Sequence, residues 1–254
     1  MNDRTEVKIA ISGALGKMGG VIASLADGRA DCVITAGVDT RASDDKPFPV
    51  HKSLFDMEAD PDVVVDFSHS SQLDSLLSYG KTRNVPLVIA TTGYSEAEIT
   101  NIKAAANEIP VFFTFNMSLG INLLADLVTR AAAVLGETFD VEIIEQHHSL
   151  KKDSPSGTAL MLAKAAENGL SYIPEYVYDR HNVRKPREQR EIGFHAVRGG
   201  TIVGEHSVIF AGHDEIITLS HSARSKEVFA AGALSAAVFI AGKPPGLYTM
   251  KDLV

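Results

Sequence analysis

The chain has 254 residues, 45% apolar and 22% charged, a composition that excludes disorder and fibrous repeats and suits one large domain or two modest ones. Its 24 basic against 32 acidic residues give a formal charge of -8. That charge repels a polyphosphate backbone and sets nucleic acid aside as a main partner.

In chain order, the charged start Met1-Asn2-Asp3-Arg4-Thr5-Glu6 lacks the apolar run of a signal peptide. No window holds the roughly 20 uninterrupted apolar residues of a spanning helix. Short β-branched runs at residues 7–12, 32–38, 63–67, 86–90 and 111–115 alternate with helix-period stretches at 17–26, 73–81 and 96–106. This is the rhythm of βαβ units around a buried parallel sheet. Ser95 followed by Glu98 predicts a capping box at the start of the third helix. Residues 41–52 are polar, hold Pro47 and Pro49, and read as a loop. Cys32 is the only cysteine, which excludes an intramolecular disulfide and a cysteine zinc site and suits a reducing compartment, so a cytoplasmic protein without membrane partners is expected.

Past Asn116 the pattern changes. A long helix at 119–135, a strand at 139–147 and a helix at 156–168 precede consecutive strands at 192–197, 201–210 and 216–221, separated by glycine-containing turns. Runs of strands without helices between them predict an α+β second domain with an antiparallel or mixed sheet. A final helix at 226–241 could pack on either domain. The fold class is therefore α/β, a Rossmann-like dinucleotide-binding domain over 1–117 and an α+β domain over 118–227. Segment 180–191 gathers Arg180, Arg184, Lys185, Arg187 and Arg190, either a solvated loop or a flap attracting an anionic ligand.

The run Gly13-Ala14-Leu15-Gly16-Lys17-Met18-Gly19 lies between the first strand and first helix, where backbone N–H groups and the helix dipole hold a dinucleotide pyrophosphate. It is a looser form of the glycine fingerprint, with Ala14 where a second glycine would stand. Asp39 follows Gly19 by twenty residues at the end of the second strand, the place from which a carboxylate bonds an adenosine ribose. Asp39 favours NADH, and Arg41 would tolerate the 2′-phosphate of NADPH. Thr91, Thr92 and Gly93 after the fourth strand, and Asn116, Met117 and Ser118 after the fifth, fall at the carboxyl edge of the sheet, with Ala90, Thr114 and Phe115 at the ends of those strands, where open α/β folds bind ligands. Either set is otherwise a polar turn.

The densest cluster runs from Glu145 to Thr158. His147 and His148 are adjacent on a strand and point to opposite faces, which disfavours a shared metal. Ser156, Gly157 and Thr158 open a helix after Pro155, an anion site with Lys151 close in sequence. An anionic substrate follows. A semialdehyde dehydrogenase would need a nucleophilic cysteine, and Cys32 opens a buried strand instead; a non-catalytic nucleotide sensor would have no use for the cluster.

Over essentially its whole length the sequence resembles the 4-hydroxy-tetrahydrodipicolinate reductase (dihydrodipicolinate reductase) family of lysine and diaminopimelate biosynthesis. The resemblance rests on the glycine run, Val65-Asp66-Phe67-Ser68, Thr91-Thr92-Gly93-Tyr94, Phe115-Asn116-Met117-Ser118, Ile202-Val203-Gly204-Glu205-His206, and above all Glu142-Ile143-Ile144-Glu145-Gln146-His147-His148 through Ser156-Gly157-Thr158-Ala159. It implies NADH or NADPH as cofactor, a cyclic dicarboxylate substrate, no metal, and a homotetramer. It also implies that about 228–254 complete the first domain. His147 resembles the general acid/base and Lys151 the proton donor, with His148, Ser156, Gly157 and Thr158 among the carboxylate contacts. The family often has Arg directly after the ribose acid, where this chain has Thr40, and Arg is common where Lys226 stands.

Overall fold

Seven short strands, apolar on both faces, form one parallel sheet. The computed structural model describes residues 6–43 and 45–253; the charged residues 1–5 and Asp44 of the 41–52 loop lie outside them. The first part of the chain builds β1 (Val7–Ser12), α1 (Lys17–Ala26), β2 (Cys32–Val38), β3 (Val50–His51), β4 (Val63–Asp66), α2 (Leu73–Arg83), β5 (Leu87–Ile89), α3 (Glu96–Ala105) and β6 (Pro110–Phe113). The second part builds α4 (Leu119–Leu135), β7 (Asp140–His147), α5 (Gly157–Gly169), β8 (Glu175–Val177), β9 (Glu191–Arg198), β10 (Gly204–Ala211) and β11 (Ile216–Ala223), and the chain ends with α6 (Glu227–Ile240) and β12 (Gly246–Tyr248). The chain divides into two compact units, residues 1–118 with Lys226–Val254, and Leu119–Ser225.

In the first unit the strand order is β12-β6-β5-β4-β1-β2-β3, every pair parallel. Strand order reverses between β1 and β4, and such a reversal opens a crevice at the carboxyl edge. One sheet face buries Ile9, Ile11, Val63 and Val65 against α1 and α6, the other buries Ala10, Val64, Leu87 and Ile89 against α2 and α3. The capping box forms as its spacing predicts, with Ser95 N–H donating to Glu98 Oε2 at 2.6 Å. The final helix, which the sequence left free to join either part, packs its small residues Ala230, Ala233 and Ala237 into the first core. Gly232 lets it approach closely, since a Cβ there would overlap the Met117 carbonyl oxygen. The loop at 41–52 contains the two-residue strand β3, paired to Gly37 and Val38.

Ala14 in the glycine turn has a partner on β2. A Cβ on Gly37 would lie 2.5 Å from the Ala14 methyl and 3.0 Å from Phe48, so the missing second glycine of the turn is matched by a glycine on the strand. Gly37→Ala is expected to destabilise the unit by roughly 1–3 kcal/mol, the usual cost of overpacking. Ala14→Gly in the same chain should recover part of that loss, checked by denaturant unfolding in a double-mutant cycle.

The second unit carries the mixed sheet β11-β10-β7-β9-β8, with β7 parallel to β9 and antiparallel to β10. The sheet is mixed, and β7 lies between β9 and β10. The connecting turn therefore passes over the end of β7, with Gly199 N–H donating to His147 O at 2.9 Å and Ser149 N–H to Gly200 O at 3.2 Å, and Gly200 at φ +48 makes the bend. Helices α4 and α5 cover one face with Ile121, Val128 and Leu162 over Val141, Ile143 and Val208. Residues Leu119–Thr138 are long and apolar enough to cross a membrane by length and composition. Asp126 and Arg130 interrupt them, however, and one side of the helix is core. The other sheet face leaves Ile216, Thr218 and Ser220 exposed and Ile144 and Ile209 half-buried.

Most of the basic cluster at 180–191 is tied down. Arg180 pairs with Glu191 at 2.6 Å and Glu142 at 2.8 Å, Arg187 with Asp140 at 2.6 Å and Glu142 at 2.9 Å, and Lys185 with Glu188 at 2.5 Å. Arg180 and Arg187 thus neutralise acids of the sheet, and Lys185 pairs within the loop, which favours a structural loop over an anion-attracting flap. Gly193 makes room, since a Cβ there would overlap the Glu142 carboxylate.

Candidate active site

The turn after β1 is built to bring backbone N–H groups close to a ligand. Gly13 has φ +84, and a Cβ on it would lie 2.6 Å from the Phe67 carbonyl oxygen; a Cβ on Gly19 would overlap Gly13 O. Gly13 and Ala14 N–H both donate to Val38 O, at 2.8 and 3.1 Å. No side chain caps α1 at Gly16, so its first turn offers its N–H groups to an anion. Leu15 is half-buried, and Gly16 and Lys17 are exposed with Met18 half-buried beside them.

Asp39 closes this arrangement. Its Oδ2 accepts Leu15 N–H at 2.9 Å, and its Oδ1 accepts Thr40 N–H at 2.8 Å and the Thr40 hydroxyl at 3.2 Å. The carboxylate bridges the glycine turn and the end of β2 while staying partly open to solvent, with Arg41 exposed two residues on. An uncapped helix start beside a fixed acid fits a dinucleotide, pyrophosphate on α1 and ribose on Asp39.

Further along the same edge, Ala90 and Thr91 are buried and Thr92 exposed after β5. After β6, Asn116 N–H donates to Thr114 Oγ1 at 3.3 Å and Asn116 Oδ1 accepts Ser118 N–H at 2.8 Å, which stiffens the turn. Phe115 is 61% exposed and Met117 is buried. Asp66, for which sequence reasoning found no role, ends β4 at 1% exposure. Its Oδ1 accepts the Ser68 hydroxyl at 2.5 Å. Asp66 Oδ2, Thr91 Oγ1 and Tyr94 OH are buried without hydrogen-bond partners among the described residues. Burial and the neighbouring Asp66 push the Tyr94 phenol up. An acid closing a run of three valines was the available signal. A cleft of about 1110 Å³ opens at the opposite, amino edge of this sheet, lined by Arg29, Asp62, Arg83 and Lys243, and none of the residues above reaches it.

In the second unit, β7 alternates strictly: Val141 and Ile143 enter the core, and Glu145 and His147 follow on the same face. His147 Nδ1 meets Glu145 Oε2 at 2.6 Å. Glu145 also accepts Arg198 Nη1 and Nη2, each at 2.7 Å, and Ser156 N–H at 3.0 Å. Burial raises and these bonds lower the Glu145 carboxyl, for a net shift downward. Burial also pulls His147 down, partly offset by Glu145. His206 stacks edge-on at 5.1 Å from the His147 ring and is pulled down to about 4, by burial first and by His147 second.

The predicted cluster is brought together here, with two refinements. Lys151 is held, its Nζ 2.7 Å from Asp153. Ser156 is the N-cap of α5, its N–H bound by Glu145 and its hydroxyl shared between Ala159 N–H at 3.1 Å and His206 Nε2 at 2.9 Å. Gly157, exposed with nothing within 4 Å of a Cβ, opens the helix onto free space, and Thr158 follows on the same turn. His148 leaves the strand on the other face, its Nδ1 buried without a hydrogen-bond partner among the described residues. Glu145, Arg198 and His206 were given no role by sequence reasoning. The period-two pattern from Val141 to His147 was the signal for Glu145; nothing in the sequence pairs Arg198 with it.

Known proteins resemble this chain in sequence and in fold. The profile described as dihydrodipicolinate reductase, N-terminus, matches residues 7–117, and that of the C-terminus matches 120–254. The 4-hydroxy-tetrahydrodipicolinate reductase of Caldanaerobacter subterraneus is 52% identical over 248 residues, 98% of each chain, and that of Clostridium novyi is 45% identical over 97% of this chain and 98% of its own. A dipicolinate-bound dihydrodipicolinate reductase from Paenisporosarcina superposes with TM-score 0.79 at 23% identity, covering 98% of this chain and all of its own. The chain belongs to the dihydrodipicolinate reductase family, the NAD(P)H-dependent 4-hydroxy-tetrahydrodipicolinate reductases.

Proposed function

We propose that His147, Lys151 and the first turn of α5 carry the chemistry of the family's reaction, the reduction of cyclic 4-hydroxy-tetrahydrodipicolinate to tetrahydrodipicolinate with loss of water, in lysine biosynthesis through diaminopimelate. The observation that supports this best is a buried histidine, bonded through Nδ1 to a buried carboxylate, at the edge of an open helix N-terminus.

The reduced nicotinamide of NADH or NADPH supplies a hydride when bound, and Asp39, Gly13, Ala14, Leu15, Gly16, Lys17 and Met18 would hold the adenosine and pyrophosphate part. Ala90, Thr91, Thr92, Thr114, Phe115, Asn116 and Met117 would line the rest of the cofactor site. On the substrate side, the 4-hydroxyl leaves as water, taking up one proton while the adjacent ring carbon releases one, and the ring is left unsaturated; hydride entering that ring pushes an electron pair onto it, and a proton must follow. Lys151 is the donor, a cation that also stabilises the developing charge. His147, kept mainly neutral by burial, takes up or passes on a proton at Nε2. His148, Gly157 and Thr158 bind the carboxylates, with Ser156 shaping the turn through its cap. An assay of nicotinamide oxidation, with substrate generated in place by the preceding synthase, tests the reading; no oxidation would overturn it.

The open face of the second sheet supports a homotetramer. Ile144, Ile209, Ile216 and Thr218 lie on it, and half-apolar sheet faces are normally covered. Sedimentation at micromolar concentration should give a species of four chains, and a monomer would refute it. The single cysteine suits a cytoplasmic location.

A further inference from the structure

A buried carboxylate with four donors around it does more than fill space. Glu145 is 1% exposed, and its two oxygens carry separate duties. Oε2 faces His147 Nδ1 and one arm of Arg198; Oε1 faces the other arm and Ser156 N–H. Arg198 also donates to the Asp153 carbonyl at 2.7 Å. An ionised carboxylate only accepts, so the His147 proton in this pair sits on Nδ1. Nε2 is then the acceptor, and it lies over Gly204, where a Cβ would stand 3.3 Å away and crowd it.

A buried ion pair is a poor device for stability alone, because well-packed apolar residues of similar volume often serve as well or better. What the pair supplies is direction: a two-armed guanidinium fixes the plane of the carboxylate, and the carboxylate fixes the ring. We propose that Glu145, clamped by Arg198, is a positioning residue that holds His147 with Nε2 free and ties that ring to the turn that opens α5. The proposal rests on His147 being the acid/base of the reaction. Glu145 belongs to the same strand as His147; Arg198 faces the pair from β9, His206 from β10 and Lys151 from the following turn. Of these, Glu145 alone raises the His147 proton affinity, while Lys151 and Arg198 lower it.

The test uses full-length protein with NADH bound and 15N-labelled histidine, the His147 signals being assigned by their loss in His147→Gln. Wild type should show a single neutral tautomer, protonated at Nδ1. In Glu145→Gln the tautomers should mix, and His147 should titrate about one pH unit lower or more, since an opposite charge has been removed. The limb of the pH profile due to His147 should move by the same amount, kcat should fall at least about tenfold, and NADH affinity should hold. A purely structural defect would not move the tautomer and the pH limb together. Should Glu145→Gln leave Arg198 unpaired and fail to fold, Glu145→Met combined with Arg198→Met removes both charges at once, and mixed tautomers with lowered kcat are again expected. A folded variant, single or double, in which His147 keeps its wild-type tautomer overturns the proposal. Normal kcat in His147→Gln overturns the acid/base assignment beneath it, and the proposal with it, whatever the tautomer.

Discussion

Replacing His147 by Gln should lower kcat by about 10²–10⁴, the range a positioned proton-transfer group usually contributes. Lys151→Ala should lower it by a similar factor, roughly 10²–10⁴, since it removes the proposed proton donor together with its positive charge. In both variants NADH should bind nearly as in wild type, because neither residue belongs to the unit that carries the glycine turn. Gln can still donate an amide N–H to Glu145 in place of the ring Nδ1–H but cannot cycle a proton, so a fold defect is not expected. By contrast, Thr158→Val should mainly raise KM for the dicarboxylate, because it alters a binding turn and no proton. Steady-state kinetics with calorimetric titration of NADH separates these effects. If His147→Gln and Lys151→Ala both kept near-normal kcat, the cluster would not be the site of proton transfer.

Asp39→Ala should weaken NADH by roughly 10- to 150-fold, the equivalent of losing a charge-assisted hydrogen bond of about 1.5–3 kcal/mol. NADPH should lose less, because the same substitution removes a negative charge that opposes the 2′-phosphate. The structure adds a cost common to both nucleotides. Leu15 N–H and Thr40 N–H lose their acceptor, and the turn that Asp39 holds against β2 loosens. Asp39→Asn separates the two effects, since it keeps an acceptor oxygen and removes only the charge; it should shift preference toward NADPH with a smaller overall loss. Calorimetry with each nucleotide measures both terms. An unchanged ratio of affinities in Asp39→Ala would move the ribose elsewhere.

The parts of the fold that sequence reveals are those set by local periodicity. Strands such as Val7–Ser12 and Cys32–Val38 are mostly apolar, β-branched runs, and Ser95 with Glu98 announces a helix start within four residues. The short edge strands Glu175–Val177 and Gly246–Tyr248 have no such signal, because three residues contain too little pattern and form only where a neighbour offers an open edge. The place of β7 between β9 and β10 was equally hidden, since turn residues specify a bend and not the neighbour across it. At the site, His147, Lys151 and the α5 start lie within twelve residues of one another and were legible as a cluster. Arg198 and His206 come from strands 51 and 59 residues after His147 in sequence, and only the sheet register joins them to it.

The first unit is discontinuous in the chain, and this shapes the order in which the molecule can be completed. As the polypeptide leaves the ribosome, its first 118 residues emerge with the edge of β6 unpaired and the sheet face over Ile9 and Val65 lacking the helix that covers it. The intervening residues Leu119–Ser225 form a contiguous unit with its own core, which can close while the first still waits. Only when Glu227–Ile240 and Gly246–Tyr248 arrive do the nascent sheet and its face gain their last partners. Contacts so far apart in sequence close slowly, and an open strand edge during that wait is exposed to pairing with other chains. The segment Lys226–Val254 thus decides when the nucleotide-binding unit is finished, although every residue of its glycine turn was made much earlier.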